Sequence, residues 1–248
     1  MKKIFVLIGS RQKNGNTTDF AKRITDRLDK EKFEVEYAYP QDFNIAPCVG
    51  CSRCFLQAKC VSRDDLPLLH KKILESDLFI IASPVYMHYF TADLKLIIDK
   101  SSWWAHTLRL QGKPVVILST CGTNGHDTVI KALSKIMTYM GGNVIACSNA
   151  AQLPKQLDNE KWMQEVSGEI AKRINKYAHI PHQSNQHIEE VFPYMKAAAI
   201  IQKEQGQNIG MEIEEFKEYV FWRDTGMENY DSFEDYLKEK YICKEVVV

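Results

Sequence analysis

Three observations predict an α/β chain: a doubly wound, five-stranded parallel sheet in the order 2-1-3-4-5, followed by a helical C-terminal extension. Short apolar runs at 3–8, 78–82 and 114–118 lack polar alternation, which marks strands buried on both faces. Segments of helical periodicity separate those runs, and alternating strands and helices imply a parallel sheet covered on both sides. Each run also ends in a small polar loop, and this class of sheet binds ligands outside the carboxyl ends of its strands.

The first strand, Lys3-Ile4-Phe5-Val6-Leu7-Ile8, stops at Gly9-Ser10. A polar stretch over 11–18 leads into a helix over 16–30, where Phe20, Ala21, Ile24 and Leu28 recur at helical spacing. Phe33-Glu34-Val35-Glu36-Tyr37 alternates in polarity and reads as the second strand. A cysteine-rich insertion occupies 47–61. Asp64 and Asp65 then offer a cap for a helix carrying Leu68, Leu69, Ile73 and Leu74. The third strand, 78–82, runs into Ser83-Pro84-Val85-Tyr86-Met87-His88, and a helix with Leu94, Ile97 and Ile98 follows. The fourth, 114–118, ends in the small polar stretch 119–125. A helix over 127–140 precedes Gly141-Gly142 and a last strand at 144–146. A helix over 158–177 closes the first domain, predicted to span 1–180. The acidic remainder, 181–248, leaves a balancing positive excess in the first part. Helices are expected there near 189–205, 213–222 and 232–241. Phe216, Tyr219 and Val220 form an apolar face that needs a partner surface.

Composition narrows the function. The formal net charge is zero, which argues against nucleic-acid binding. No stretch approaches the length of a membrane span, and the run after Met1-Lys2-Lys3 is too short for a signal peptide. A cytoplasmic protein with no membrane partner is expected. Of seven cysteines, four crowd into 48–60. Without an export signal, that pattern reads as metal or redox chemistry rather than disulfide stapling.

A strand, a loop rich in hydroxyls and amides, then a helix start is an arrangement that holds phosphate, because backbone N–H groups and the positive helix end face the anion. Ser10, Asn16, Thr17 and Thr18 add side-chain donors here, and Arg11 and Lys13 add charge. The loop lacks both the Gly-Lys-Ser/Thr of a Walker loop and the three spaced glycines of the dinucleotide fingerprint. It suits one terminal phosphate, such as that of FMN. The plainer alternative is a capped helix with no ligand. Pro84, Val85, Tyr86 and Met87 of the second loop and Thr120, Cys121 and Gly122 of the third fall at the same strand ends and would seat the flavin ring. Trp103 and Trp104 read as core or interface, and Cys121, though placed to approach flavin, reads first as an ordinary buried thiol. His88 and His106 are weak site candidates, and Cys147 and Cys243 carry no assigned role.

Cys48, Cys51, Cys54 and Cys60 are separated by two, two and five residues. C-x2-C-x2-C is the core of a ferredoxin-type run that holds an iron–sulfur cluster, and Cys60 is the natural fourth ligand. Zinc sites more often use two separated cysteine pairs. Zinc and free thiols remain the alternatives.

These residues carry a family resemblance over about 2–146. Gly9-Ser10 with Asn14-Gly15-Asn16-Thr17, Pro47-Cys48 through Cys60 with Asp64-Asp65, and Ser83-Pro84-Val85-Tyr86 with Lys95 and Asp99 resemble the iron–sulfur flavoproteins. Those belong to the wider NADPH-dependent FMN reductase group of flavodoxin-like proteins. The resemblance implies FMN on the three loops and a [4Fe–4S] cluster on the four cysteines. It also implies a homodimer or higher homo-oligomer with the cluster close to flavin near a subunit contact. The first loop departs from the usual Gly-Ser-Pro-Arg-Lys, placing Gln12 where the arginine stands. The acidic extension exceeds the family core.

The expected function is that of an FMN-dependent oxidoreductase passing electrons between flavin and a [4Fe–4S] cluster. NAD(P)H is a possible donor and a ferredoxin-like carrier a possible partner. No side-chain acid or base is assigned, because no Ser-His-Asp set or paired carboxylates stand out. A cluster-free NAD(P)H-dependent FMN or quinone reductase is the first alternative. A non-enzymatic flavin- or metal-binding module is the second.

Overall fold

Five strands lie in one all-parallel sheet, ordered β2-β1-β3-β4-β5, in a computed structural model that describes residues 1–241. Cys243 lies outside the described residues. The strands are β1 (Lys2–Ile8), β2 (Phe33–Ala38), β3 (Leu78–Pro84), β4 (Pro114–Cys121) and β5 (Asn143–Ala151). The order reverses between β1 and β3, which sets the switch point of a doubly wound sheet. β1, β3 and β4 are buried on both faces, so their side chains divide between two cores. Ile4, Val6 and Ile8 pack with α1 (Asn16–Thr25) and α7 (Glu160–Tyr177). Phe5 and Leu7 pack on the other side with α3 (Leu66–Glu75), α4 (Ala92–Lys100), α5 (Trp103–His106) and α6 (Thr128–Tyr139).

Several elements differ from the sequence-based expectation at their ends. The first helix stops at Thr25, because the next bonds tighten to three-residue steps, Arg27 N–H to Ile24 O at 3.3 Å and Leu28 N–H to Thr25 O at 3.0 Å. β4 continues through Ser119, Thr120 and Cys121, which pair with Asn149, Ala150 and Ala151 of a β5 longer than the apolar run at 144–146. Thr120 and Cys121 therefore sit on a strand end rather than in a loop. Pairing with a neighbouring strand keeps these small polar residues extended where their own pattern signals a turn.

The extension folds as α8 (Gln186–Asn208), α9 (Lys217–Thr225) and α10 (Phe233–Tyr241) around a third core of Ile188, Phe192, Trp222, Phe233 and Tyr236. The apolar face of Phe216, Tyr219 and Val220 is buried, as its pattern requires. The tip of the Phe216 ring abuts Gly206 of α8, where an added Cβ would stand 1.7 Å from its Cζ. Leu108 of the sheet domain is fully buried within this third core. Lys240 Nζ donates to Gln111 Oε1 at 2.7 Å, and Trp222 Nε1 donates to the His106 carbonyl at 2.8 Å. Among the described residues no helix is long and apolar enough to cross a membrane.

Candidate functional site

β1, β3 and β4 end side by side, and their following loops border one cleft of about 370 Å³. Ser10, Asn16 and Thr17 line it from the first loop, Pro84, Val85 and Tyr86 from the second, and Thr120, Cys121 and Gly122 from the third. Its lining is mostly polar side chains. Ser10, Thr17 and Thr120 are at most 6% exposed, so their hydroxyls are held rather than free. Thr17 Oγ1 lies 2.6 Å from Thr120 Oγ1, which ties the start of α1 to the end of β4. No side chain caps α1 at Gly15, so the first N–H groups of that helix remain available at the cleft.

The charged candidates are placed elsewhere. Arg11 grips Asp93 of α4 with two bonds, Nε to Oδ2 at 2.9 Å and Nη2 to Oδ1 at 2.8 Å. Lys13 pairs with Asp42 at 2.8 Å. Neither lines the cleft. Gln12, at the position where the resemblance has arginine, does line it. Thr18 is buried, and its hydroxyl donates to Gln12 O at 3.4 Å, so it braces the loop from behind. Asn14, Gly15 and Gln152 also line the cleft. Gln152 follows β5, and its N–H donates to Cys121 O at 2.8 Å. The signal for it was the small-residue run Asn149-Ala150-Ala151, which reads as a strand end only once β5 is known to extend that far.

Met87 follows Tyr86 in the second loop and does not itself line the cleft. Tyr86 and Tyr89 close a tight turn by exchanging backbone bonds of 2.8 and 3.0 Å. Met87 and His88 between them have φ of 45° and 63°. That is the primed hairpin turn, which favours glycine or asparagine. Two larger residues held left-handed cost backbone strain that the Tyr86–Tyr89 turn must offset. Met87 is 95% exposed and Tyr86 56%, so both are open to whatever enters. Gly125, at φ 74°, lets the third loop approach the second, since a Cβ there would lie 2.6 Å from Val85 Cγ1. Cys121 is buried and accepts from Asn149 Nδ2 at 3.3 Å. A larger groove of about 1000 Å³ between α6 and α8 shares no lining residue with this cleft.

The sequence of the cysteine insertion folds as a loop with one short helix, α2 (Arg53–Gln57). Cys48 and Cys51 are exposed, whereas Cys54 and Cys60 are half-buried against the core beside Phe55 and Ala58. Bonds from the Arg53 backbone and side chain lower the Cys51 thiol, and burial raises Cys54. Among the described residues, no three His, Cys, Asp or Glu side chains are gathered to hold a metal ion. The donor chemistry suits an iron–sulfur cluster, but this arrangement of the donors does not.

Asp64 ties off the insertion. Its Oδ2 accepts from Ala46 N–H at 3.1 Å, from Ser62 Oγ at 3.0 Å and from Lys100 Nζ, and its Oδ1 accepts from Leu66 N–H at 3.2 Å. Burial alone would raise this carboxyl, yet Lys100 and the three other donors hold it below the usual carboxylate range. Asp65 caps no helix N–H; it accepts from Asn44 N–H at 2.7 Å.

Residues 2–153 match the family described as NADPH-dependent FMN reductase. The chain belongs to that family. The chain is similar to an iron–sulfur flavoprotein of Archaeoglobus fulgidus, 37% identical over 43% of this chain and 49% of that one. An iron–sulfur flavoprotein of Methanocaldococcus jannaschii is 30% identical over 53% of this chain and 69% of the other. The match thus spans about half the length of the Archaeoglobus relative. In fold, the chain resembles RosB with bound 8-demethyl-8-formylriboflavin-5'-phosphate, at TM-score 0.61 and 16% identity over 83% of this chain and 88% of that one. The family is one of flavin-dependent oxidoreductases, and the polar cleft at the switch point lies within its matched residues.

Proposed function

We propose that the protein is an FMN-dependent oxidoreductase whose flavin occupies the cleft at the ends of β1, β3 and β4. The observation that carries this is the convergence of three strand-end loops on buried Ser10, Thr17 and Thr120 beside an uncapped helix start. A terminal phosphate would be held by Ser10, Asn16, Thr17 and the first N–H groups of α1. Arg11 and Lys13 act at a distance, through Asp93 and Asp42, by bracing the loop. Pro84, Val85, Tyr86 and Met87 would border the ring on one side, and Thr120, Cys121 and Gly122 on the other. Bound there, FMN supplies hydride and single-electron chemistry. The chain's own part is to bind and orient the flavin while leaving the face near Met87 open to a donor such as NAD(P)H.

The cysteine stretch is proposed to hold the [4Fe–4S] cluster named in the relatives, with a ferredoxin-like carrier as partner and a homodimer or larger homo-oligomer as the working form. The four thiolates are the right soft donors. Gathering them requires the loop carrying Cys48 and Cys51 to fold inward. The scattered thiols equally favour a second reading, a cluster-free flavin or quinone reductase.

The test replaces Asn16 and Thr17 together by leucine. FMN titration should show binding weakened by at least about tenfold, the loss of one or two charge-assisted hydrogen bonds. Unchanged affinity would sink the assignment of this loop. Iron and sulfide assays on anaerobically purified protein decide between the two readings of the cysteines.

A further inference from the structure

α2, the helix that carries Cys54, cannot hold itself. It has five residues, far below the length at which a helix persists alone. Residues in the left-handed conformation flank both ends, Ser52 at φ 57° and Ala58 at φ 46°, and neither is glycine. A segment so strained persists only where its surroundings over-determine it.

Those surroundings come partly from the sheet-domain core, where Ser102 bonds to the Cys54 thiol, and partly from the extension. Gln202 of α8 donates from Nε2 to the Phe55 carbonyl of α2 at 3.0 Å. The Phe55 ring stacks on His106, with centroids 4.7 Å apart and planes 21° from parallel. His106 Nδ1 lies 2.9 Å from Glu218 Oε2 of α9, and Trp222 of α9 holds the His106 carbonyl. Glu218 is only 3% exposed. Its second oxygen, Oε1, is buried without a hydrogen-bond partner, and so is Gln202 Oε1. Two orphaned acceptors at one contact are costly in a purely structural packing surface. Gln202 and Glu218 both lie beyond residue 153, where the family match ends.

We propose that the C-terminal extension is part of the cysteine site: Gln202 and Glu218 are positioning residues that fix the Cys54 helix through Phe55 and His106. The extension thereby sets the geometry in which the four cysteines take up a cluster. This second clause rests on the reading of the cysteines as cluster ligands; the first does not.

Two variants of the full chain that keep roughly the side-chain volume, Gln202→Leu and Glu218→Leu, test it. In metal-free protein, alkylation of each thiol by iodoacetamide is timed and mapped by mass spectrometry. Cys54 should react about fivefold faster in either variant, the effect of one net hydrogen bond on local opening, while Cys147 on β5 keeps its rate. Gln202→Met keeps roughly the volume and withdraws the donor without adding a charge, so it should reproduce the Leu result. After anaerobic reconstitution with ferrous iron and sulfide, the variants should hold less iron or give an altered visible circular dichroism, with FMN content unchanged. Wild-type Cys54 rates in all three variants would overturn the proposal. Faster Cys54 alkylation in a chain that takes up no iron, even as wild type, would retain Gln202 and Glu218 as fixing α2 and remove the cluster reading. Faster alkylation with iron content and dichroism unchanged would overturn the claim that the extension sets the cluster geometry.

Discussion

One hydroxyl contact, Thr17 to Thr120, joins residues 103 positions apart at the floor of the cleft. Single side chains elsewhere are as constrained. Gly206 accepts the Phe216 ring where a methyl group would overlap it, so Gly206→Ala forces α8 and the ring apart. That overpacking should cost about 1–3 kcal/mol, read as a lower urea midpoint with an unchanged slope. Two histidines give a pH prediction. Burial lowers His70 to about 3 and His182 to about 4, from an ordinary 6.5. Below 6.5 the unfolded chain takes up protons that the folded chain refuses until these lower values are reached. Stability from these groups is therefore complete above pH 6.5 and falls toward pH 4, by up to about 1.4 kcal/mol per pH unit for each. His106 works the other way, because its bond to Glu218 raises it and adds stability when it is charged. Comparison with a His70→Gln, His182→Asn variant isolates the effect: urea unfolding should show a flatter profile between pH 6.5 and 4 than wild type. Parallel profiles would mean that neither histidine is held neutral.

At the scale of elements, the insertion between β2 and α3 has almost no regular structure and depends on Asp64. The Asp64–Lys100 pair is nearly fully buried, with side chains 4% and 1% exposed. Such a pair adds little over an apolar substitute, but breaking it leaves a charge without compensation. Lys100→Met should therefore cost about 3–5 kcal/mol and loosen both ends of the insertion, since Ala46, Ser62 and Leu66 all bond to Asp64. Limited proteolysis near 46–62 together with thermal unfolding checks it. A variant cut no faster than wild type would show that α4 does not secure this segment.

For the whole molecule, the third core couples the extension to the sheet domain. Leu108 and Gln111 belong to the domain by sequence, yet Leu108 is buried by the extension and Gln111 bonds to its Lys240. A chain ending at Gln183 uncovers Leu108, His106 loses its bonds to Glu218 and Trp222, and Phe55 loses the Gln202 bond. We expect it to unfold at a lower temperature and to associate through the uncovered apolar surface. Differential scanning calorimetry with sedimentation is the measurement. An unchanged midpoint and an unchanged oligomeric state would make the extension a separate appendage.

Element type and order were legible in the residues because their causes are local. Unbroken apolar runs mark β1, β3 and β4, alternation marks β2, and helical spacing of Phe20, Ala21 and Ile24 marks α1. Gly9-Ser10 and Asn14-Gly15-Asn16-Thr17 announced a polar strand end for the same reason. Contacts between distant segments decided the rest. β4 runs on through Cys121 because β5 pairs with it, and Gln152 reaches the cleft by that same register. Arg11 and Lys13 looked like phosphate ligands, but Asp93 and Asp42, far off in the chain, claim their charges. The pattern of Phe216, Tyr219 and Val220 demanded a partner without naming one. Only the tertiary packing shows that α8 and α9 come to rest against the helix of Cys54, since long-range packing leaves no period in the sequence.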